Sequence, residues 1–181
     1  AAVLNTLSKT TQMGKNVATF EKKISKIFNK KYGVMTNSGS SALLISIDSL
    51  RLPKNSEVIT PCLNFGTAVS SILLSNLKPV FVNCKLETLQ IDSDKIESKI
   101  SRKTKALLVP NLIGNIPDWI KIRKIANKHN LKIIEDSADT LGAKIKNHST
   151  GKYSDISITS FYGSHVISCA GNGGIFLTNN K

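Results

Sequence analysis

The sequence predicts an α/β domain in which helices flank a mainly parallel sheet. Apolar runs of roughly four to six residues, such as "EVITP" and "LKIIE", have the length and composition of buried strands. They alternate along the chain with segments of helical spacing, which is the order that builds parallel sheets. Serine, glycine and aspartate follow several of these runs. Because ligands bind beyond the carboxyl ends of the strands in such sheets, these residues are the candidates for a site.

The helical signals begin in "NVATFEKKISKIFNKK", where apolar residues recur at three- and four-residue spacing. These residues are Val17, Phe20, Ile24, Ile27 and Phe28. The next helix is predicted to start at about Ser41, and "GTAVSSILLS" is predicted to form another. "DSDKIESKI" is expected to be a short helix capped by Asp92 or Ser93. "PDWIKIRKIANKHN" is expected to be a helix with Pro117 in its first turn.

The predicted strands lie between these helices. In chain order they are "YGVM", "EVITP", "KPVFVNC", "KALLVPN", "LKIIEDSAD", "DISITSFYG" and "GGIFLTNN". The 181 residues are enough for one domain with a hydrophobic core. The chain stops directly after the last predicted strand, which suggests that it is a fragment of a longer protein.

The net charge of +13 raises the hypothesis of a nucleic-acid partner. Nearly all of that charge is lysine spread over the predicted helices, and the arginines are Arg51, Arg102 and Arg123. No aromatic-rich strand offers a surface on which bases could stack. We therefore expect a solvated lysine-rich surface and no nucleic-acid partner. The sequence also lacks a long apolar run and a leader-like start, so no membrane contact and a cytoplasmic location are expected.

The three cysteines are Cys62, Cys84 and Cys169. Their wide spacing and odd number argue against a disulfide framework and against a local zinc site. We expect them to be small buried residues, and no metal site is predicted.

The stretch "TNSGSSALL" places Ser40 and Ser41 at the start of a predicted helix. Hydroxyl groups and free backbone amides at a helix N-terminus form a phosphate cradle. The same pattern is also typical of a plain helix cap, so it does not identify a phosphate site by itself.

The stretch "IIEDSAD" places Asp136 at the end of an apolar strand. A buried carboxylate needs a positive partner or several hydrogen-bond donors, and a cationic heterocycle would serve. A structural or helix-capping aspartate is the alternative. Taken with a phosphate cradle, an aromatic ring at Phe65 and the strand-end hydroxyl of Ser160, the pattern suits pyridoxal phosphate, with Asp136 against the protonated pyridine nitrogen.

The chain resembles the DegT/DnrJ/EryC1/StrS sugar aminotransferase family from about "MGKNVATFEKK" to its end. The motifs that carry the resemblance are "NSGSSAL", "EVITPCLNF", "KPVFVN", "LIGN", "KIIEDSAD" and "SFYGSH…GNGG". The family implies the aspartate aminotransferase fold, also called fold type I of the pyridoxal-phosphate-dependent transferases, and a homodimer. It also implies that residues 1–181 are part of the cofactor-binding large domain and that a C-terminal small domain is absent.

The resemblance assigns roles to six cofactor-binding residues. By this match Ser40, Ser41 and Ser160 bind the phosphate, Phe65 stacks on the ring, Asp136 pairs with the pyridine nitrogen, and Asp139 lies near the ring hydroxyl. Asp139 is a departure, because aminotransferases usually have glutamine or histidine at that position.

His165 is the larger departure. Aminotransferases of the family have a lysine there, which binds the cofactor covalently and moves the proton. No lysine occurs between Lys152 and Lys181, so a shift of one or two residues cannot restore it. With histidine at this position, the chain resembles the branch of the family that contains the 3-dehydratases of nucleotide-linked 4-keto-6-deoxyhexoses. This resemblance implies that pyridoxamine or pyridoxal phosphate is held non-covalently and that His165 is the catalytic base. It also implies a role in the synthesis of deoxysugars for surface polysaccharides such as O-antigen and lipopolysaccharide.

Alternatives stay open within this resemblance. The protein could be a sugar aminotransferase that uses another lysine, or a non-catalytic homologue that binds the cofactor or the sugar. A dehydratase of this branch either carries a [2Fe-2S] cluster and takes electrons from a reductase partner, or turns over with glutamate. The cluster cysteines would lie beyond residue 181, so the sequence does not choose between these forms.

Overall fold

Alternating apolar side chains place the central sheet between two layers of helices. In the fourth strand, Leu107 packs into one hydrophobic cluster and Leu108 into the cluster on the opposite face. Ile133 and Ile134 in the neighbouring strand alternate in the same way. Strands that are apolar on both faces are typical of a parallel sheet covered on both sides.

The computed structural model describes residues 1–9 and 11–180. Its strands are β1 (Tyr32–Thr36), β2 (Glu57–Pro61), β3 (Lys78–Val82), β4 (Thr104–Pro110), β5 (Lys132–Asp136), β6 (Lys144–Ile145), β7 (His148–Ser149), β8 (Ile156–Ser160) and β9 (Gly174–Thr178). Its α-helices are α1 (Ala2–Leu7), α2 (Lys15–Ile27), α3 (Gly39–Ser49), α4 (Gly66–Leu74) and α5 (Trp119–Lys128).

The sheet contains seven strands in the order β1-β9-β8-β5-β4-β2-β3. The pairs from β8 through to β3 are parallel, whereas β9 runs antiparallel to both of its neighbours, β8 and β1. The prediction of an α/β domain with a mainly parallel sheet is confirmed. Residues 161–173, which join β8 to β9, form turns and no helix, whereas the crossover to a parallel neighbour usually contains a helix.

Helices α3 and α4 cover one face of the sheet, and α5 covers the other. Helix α5 buries the predicted stripe of Trp119, Ile122 and Ile125. Asp118 is its N-cap and accepts the Lys121 N–H, so Pro117 precedes the helix and the expectation that it lies in the first turn is wrong. An aspartate at this position satisfies an N–H that the helix leaves free.

Several short elements differ from the predictions. The segment after Asp92 forms two 3₁₀ turns, Ser93–Lys95 and Glu97–Lys99, in place of one short helix. Asp92 caps the first turn by accepting the Asp94 N–H. Helix α1 and the small β6–β7 hairpin were not predicted, because two-residue strands and exposed short helices carry little apolar periodicity.

The N-terminus of α3 packs directly against the ends of β8 and β9. A Cβ atom on Gly39 would lie 2.8 Å from the Ser160 Cβ, and a Cβ atom on Gly174 would overlap the backbone of Ser38 and Gly39. Both glycines are needed for this close approach, which fixes the helix start beside the strand ends.

Gly174→Ala is expected to destabilise the protein by about 1–3 kcal/mol, because the new methyl group meets backbone that cannot rotate away. Gly66→Ala is the matched control, since a Cβ atom there meets nothing within 4 Å. Chemical denaturation of both variants measures the difference. Equal stability of the two variants would contradict the close packing of α3 on β9.

Candidate active site

A cavity of about 630 Å³ lies at the carboxyl ends of β4, β5 and β8, beside the start of α3. Six of the seven residues predicted for the site line it: Ser40, Phe65, Asp136, Asp139, Ser160 and His165. Elements far apart in the sequence are therefore brought together where ligands bind in parallel sheets.

Ser41 is the predicted site residue that does not line the cavity. Its N–H donates to the Ser38 Oγ at 3.1 Å, because Ser38 is the N-cap of α3. Ser38 lines the cavity in its place, and Ser40 hydrogen-bonds Thr67 at 3.2 Å. The position of Ser38, three residues before Ser41, is a cap signal that was available in the sequence.

The Asp136 carboxyl group is buried, with 5% of the residue exposed. It accepts one backbone hydrogen bond, from the Ala138 N–H at 3.0 Å. Burial raises the pKa of Asp136 to about 6, the Ala138 N–H opposes this, and the charges of Asp139 and Glu135 add to it. A buried carboxylate with one donor is a strong site for a cation.

Glu135 points to the opposite face of β5 and is fully buried. Its carboxylate accepts four side-chain hydrogen bonds of 2.7 to 3.0 Å. The donors are Asn111, Ser137, Ser154 and Ser157. They belong to the segments that follow β4 and β5 and to the start of β8, so this one carboxylate ties together three strands that border the cavity.

Lys30 supports the same cluster from the end of α2. Its Nζ donates to the carbonyl groups of Gly151 and Ser154 at 2.8 and 2.7 Å. Burial lowers the pKa of Lys30 to about 8, although the negative charges of Glu135 and Asp155 oppose this. A positive charge held near Glu135 reduces the free energy needed to bury that carboxylate.

Phe65 lies at the mouth of the cavity and is 66% exposed. It directly precedes α4, and the side chain of the neighbouring Asn64 is fixed by a 2.8 Å hydrogen bond to Thr60. An exposed aromatic ring at the start of a helix beside the cavity is available to stack on a planar ligand.

His165 follows β8 in a turn in which its N–H donates to the Tyr162 carbonyl at 3.0 Å. Its Nδ1 lies 3.8 Å from the Asp139 Oδ1. The other Asp139 oxygen accepts the Ile113 N–H at 3.2 Å, which fixes the carboxylate. The structure thus pairs two predicted site residues with each other, a contact that the sequence did not reveal.

The described residues that line the cavity include no lysine. They also include Asn111, which follows β4 and joins the Glu135 cluster to the cavity wall. The sequence reasoning missed Asn111, although a polar residue after a buried strand was a usable signal.

The cysteines are more exposed than expected. Cys62 and Cys169 are exposed and Cys84 is half-buried, so the expectation of three small buried residues is wrong. Among residues 1–9 and 11–180, no group of three or more histidine, cysteine, aspartate or glutamate side chains is arranged to hold a metal ion. Nor does that part of the chain contain a helix long and apolar enough to cross a membrane.

Three relatives cover most of this chain. It is 35% identical over 170 residues to the lipopolysaccharide biosynthesis protein RfbH of Salmonella typhimurium, covering 90% of this chain and 39% of that protein. It is 34% identical to the GDP-perosamine synthase of Escherichia coli O157:H7, covering 93% and 46%. It is also 34% identical to the GDP-4-keto-6-deoxy-D-mannose 3-dehydratase of Yersinia pseudotuberculosis, covering 93% and 44%.

Two solved structures match the fold closely. NtdA of Bacillus subtilis, with bound cofactor PMP, superposes with a TM-score of 0.91 at 34% identity over 99% of this chain and 41% of that one. The GDP-4-keto-6-deoxy-D-mannose-3-dehydratase of E. coli, with bound hydrated PLP, gives a TM-score of 0.91 at 32% identity over 99% and 47%. The predicted aspartate-aminotransferase-like fold is therefore confirmed.

The chain spans less than half the length of each of these relatives. The family model that describes the DegT/DnrJ/EryC1/StrS aminotransferases matches residues 1–181. The chain belongs to the DegT/DnrJ/EryC1/StrS aminotransferase family.

Proposed function

We propose that the full-length protein uses pyridoxamine or pyridoxal phosphate to remove the C3 hydroxyl group of a nucleotide-linked 4-keto-6-deoxyhexose. The observation that carries this proposal is the pairing of His165 with Asp139 at a cavity whose described lining includes no lysine. Relatives named as a GDP-4-keto-6-deoxy-D-mannose 3-dehydratase and as a lipopolysaccharide biosynthesis protein support the proposal, and its product would serve deoxysugar synthesis for surface polysaccharides.

The residues of the cavity fit the cofactor. The buried Asp136 carboxyl group has one hydrogen-bond donor and a raised pKa, so a protonated pyridine nitrogen would supply the charge that it lacks. The first turn of α3 and the hydroxyl groups of Ser40 and Ser160 would hold the phosphate. The exposed ring of Phe65 would cover the cofactor ring. Ser41 contributes by holding Ser38 in place.

When bound, pyridoxamine phosphate supplies an amine for the sugar ketone and a ring that accepts electrons. His165 supplies the base. Its Nδ1 faces the Asp139 carboxylate at 3.8 Å, so Nε2 is the ring nitrogen that would take the proton. A histidine forms no stable covalent link to the cofactor. A site with histidine at this position would therefore have a general base but no covalent attachment of the cofactor.

Transamination of the same sugar class is the second candidate, because a GDP-perosamine synthase is as similar to the chain as a 3-dehydratase is. It needs a lysine that reaches the cavity from outside the described residues. The homodimer, the C-terminal small domain, and the choice between glutamate and a [2Fe-2S] cluster with a reductase stay predictions about the full-length protein.

The Asp136 carboxyl group is expected to titrate near pH 6 in the cofactor-free protein. Between its ordinary pKa and that value the folded protein holds a proton that the unfolded chain has lost, so stability falls as the pH rises through this window. Bound cofactor brings a positive charge and should lower the pKa. Carbon-13 NMR of labelled aspartate measures both values, and Asp136→Asn identifies the resonance by removing it. An unchanged pKa on cofactor binding would contradict the pairing.

His165→Asn is expected to slow dehydration by about 10²–10⁴-fold, the usual effect of losing a general base. Cofactor affinity should change little, because the contacts from Asp136, Ser40 and Ser160 do not involve the imidazole. Proton NMR of the sugar product, with the full-length protein and a 4-keto-6-deoxyhexose nucleotide, measures the rate and shows whether the C3 oxygen is lost.

His148→Asn is the matched control, since His148 is exposed in β7 and does not line the cavity. It should dehydrate at the wild-type rate. Wild-type turnover by His165→Asn would mean that another residue is the base. A 4-amino sugar as the main wild-type product would identify an aminotransferase, and no product of either kind would favour a non-catalytic homologue.

A further inference from the structure

Two cysteines, Cys62 and Cys84, lie just past the ends of the neighbouring strands β2 and β3, and Leu63, which follows Cys62, lines the cavity. Cys62 follows the last residue of β2, and its N–H donates to the Val82 carbonyl of β3 at 2.9 Å. Pro61 and Val82 are partners in the parallel register, so Cys84 lies just beyond the same end of β3. Cys84 is itself held by a bridge to Ile91.

This register brings the two residues within reach of a disulfide bond. Continued past Pro61 and Val82, the register sets Cys62 opposite Asn83, so Cys84 lies one residue further along. A strand spacing of about 4.8 Å and a rise of about 3.3 Å per residue place the two Cα atoms about 6 Å apart, within the range of about 4.4–6.8 Å that a disulfide spans. The chain bends at Cys62 and Leu63, which frees the Cys62 side chain from the strict alternation of a strand. The Cys62 thiol and the Leu63 N–H lie close enough to the Cys84 sulfur to influence its pKa.

The two thiols differ in exposure, and a disulfide that forms through a sulfenic acid needs one accessible thiol and one neighbouring thiol. Cys62 is exposed and open to an oxidant, whereas Cys84 is half-buried. Burial raises the pKa of the Cys84 thiol, the Leu63 N–H opposes this, and the Cys62 thiol adds to it. Cys84 is therefore protected from direct attack but placed to react with an oxidised neighbour.

We propose that Cys62 and Cys84 form a reversible disulfide bond when the protein meets a peroxide. The Cys62 thiolate attacks hydrogen peroxide, the O–O bond breaks, and a sulfenic acid and one water form once a proton is taken up. The Cys84 sulfur then attacks the Cys62 sulfur, and a second water leaves as the S–S bond forms. The two sulfur atoms lose two electrons and the two peroxide oxygen atoms gain them.

The bond would act on the wall of the cavity. Leu63, Asn64 and Phe65 follow Cys62 directly and line the cavity. In the reduced protein their segment is attached to β3 through the Cys62 N–H, which donates to the Val82 carbonyl. A covalent bond to Cys84 ties this segment to β3 and restricts the position of Phe65. Oxidation would thus reach the cavity without touching Asp136 or His165.

Peptide mapping of the full-length protein tests this proposal. The reduced protein is treated with hydrogen peroxide, blocked with N-ethylmaleimide and digested without reductant. Trypsin leaves both cysteines in one peptide, because Lys78 precedes Pro79 and no other lysine or arginine lies between them. Chymotrypsin, which cleaves after Phe65 and Phe81, separates them, so a linked pair of peptides reports the disulfide directly.

We expect the linked Cys62 and Cys84 peptides in the wild type and their loss on treatment with dithiothreitol. Cys62→Ser and Cys84→Ser should each abolish them. Cys169→Ser is the matched control and should retain them. Cys169 is an exposed residue whose thiol is only partly covered, and that partial burial, without a second thiol, raises the pKa of the thiol. Chymotrypsin should also cleave the native oxidised protein after Phe65 several-fold more slowly than the reduced protein.

Wild-type protein that yields only sulfinic acid at Cys62, unmodified thiols, or a link to Cys169 would overturn the proposal. None of these readouts depends on the enzymatic reaction. The proposal can therefore fail while the proposed function stands, and the reverse also holds.

Discussion

Two consecutive carboxylates at the end of β5 set the constraint on which the site depends. Glu135 and Asp136 point to opposite faces of the sheet because side chains alternate along a strand. Four side-chain donors satisfy Glu135, and Lys30 places a positive charge near it. Asp136 has one backbone donor and is buried. Glu135 holds the strand ends together, whereas Asp136 still lacks a positively charged partner. The same short segment therefore stabilises the walls of the cavity and supplies a negative charge inside it.

The other parts of the site are arranged around that buried charge. Close packing of Gly39 on Ser160 brings the free amides of α3 to the strand ends, where they can meet a phosphate. On the other side, the Asp139 carboxylate lies beside His165, at the end of the turn that follows β8. Under the proposed function, charge, helix amides and stacking would hold the cofactor, so histidine could stand where the aminotransferases of the family have lysine.

Much of the fold could be predicted because buried strands and amphipathic helices leave clear apolar patterns. The direction of β9 could not be predicted, because it depends on the path of the chain between β8 and β9. The β6–β7 hairpin could not be predicted either, because strands of two residues are too short to show an apolar periodicity. Most of the residues predicted at strand ends line one cavity, but the contacts between them were not predicted. The geometry of the start of α3 decides that Ser38 and not Ser41 lines the cavity. The contact between Asp139 and His165 depends on turns that bring distant residues together. The exposure of Cys62 was missed because composition alone gives no position on the surface.

The most direct test of a site that holds its cofactor without a covalent bond is borohydride trapping. Full-length protein loaded with pyridoxal phosphate is treated with borohydride, denatured and analysed by mass spectrometry. Non-covalent binding predicts protein of unmodified mass and release of the reduced cofactor, whereas His165→Lys, which restores an amine at this position, should retain an adduct. A cofactor adduct on any lysine of the wild-type protein would contradict the role assigned to His165.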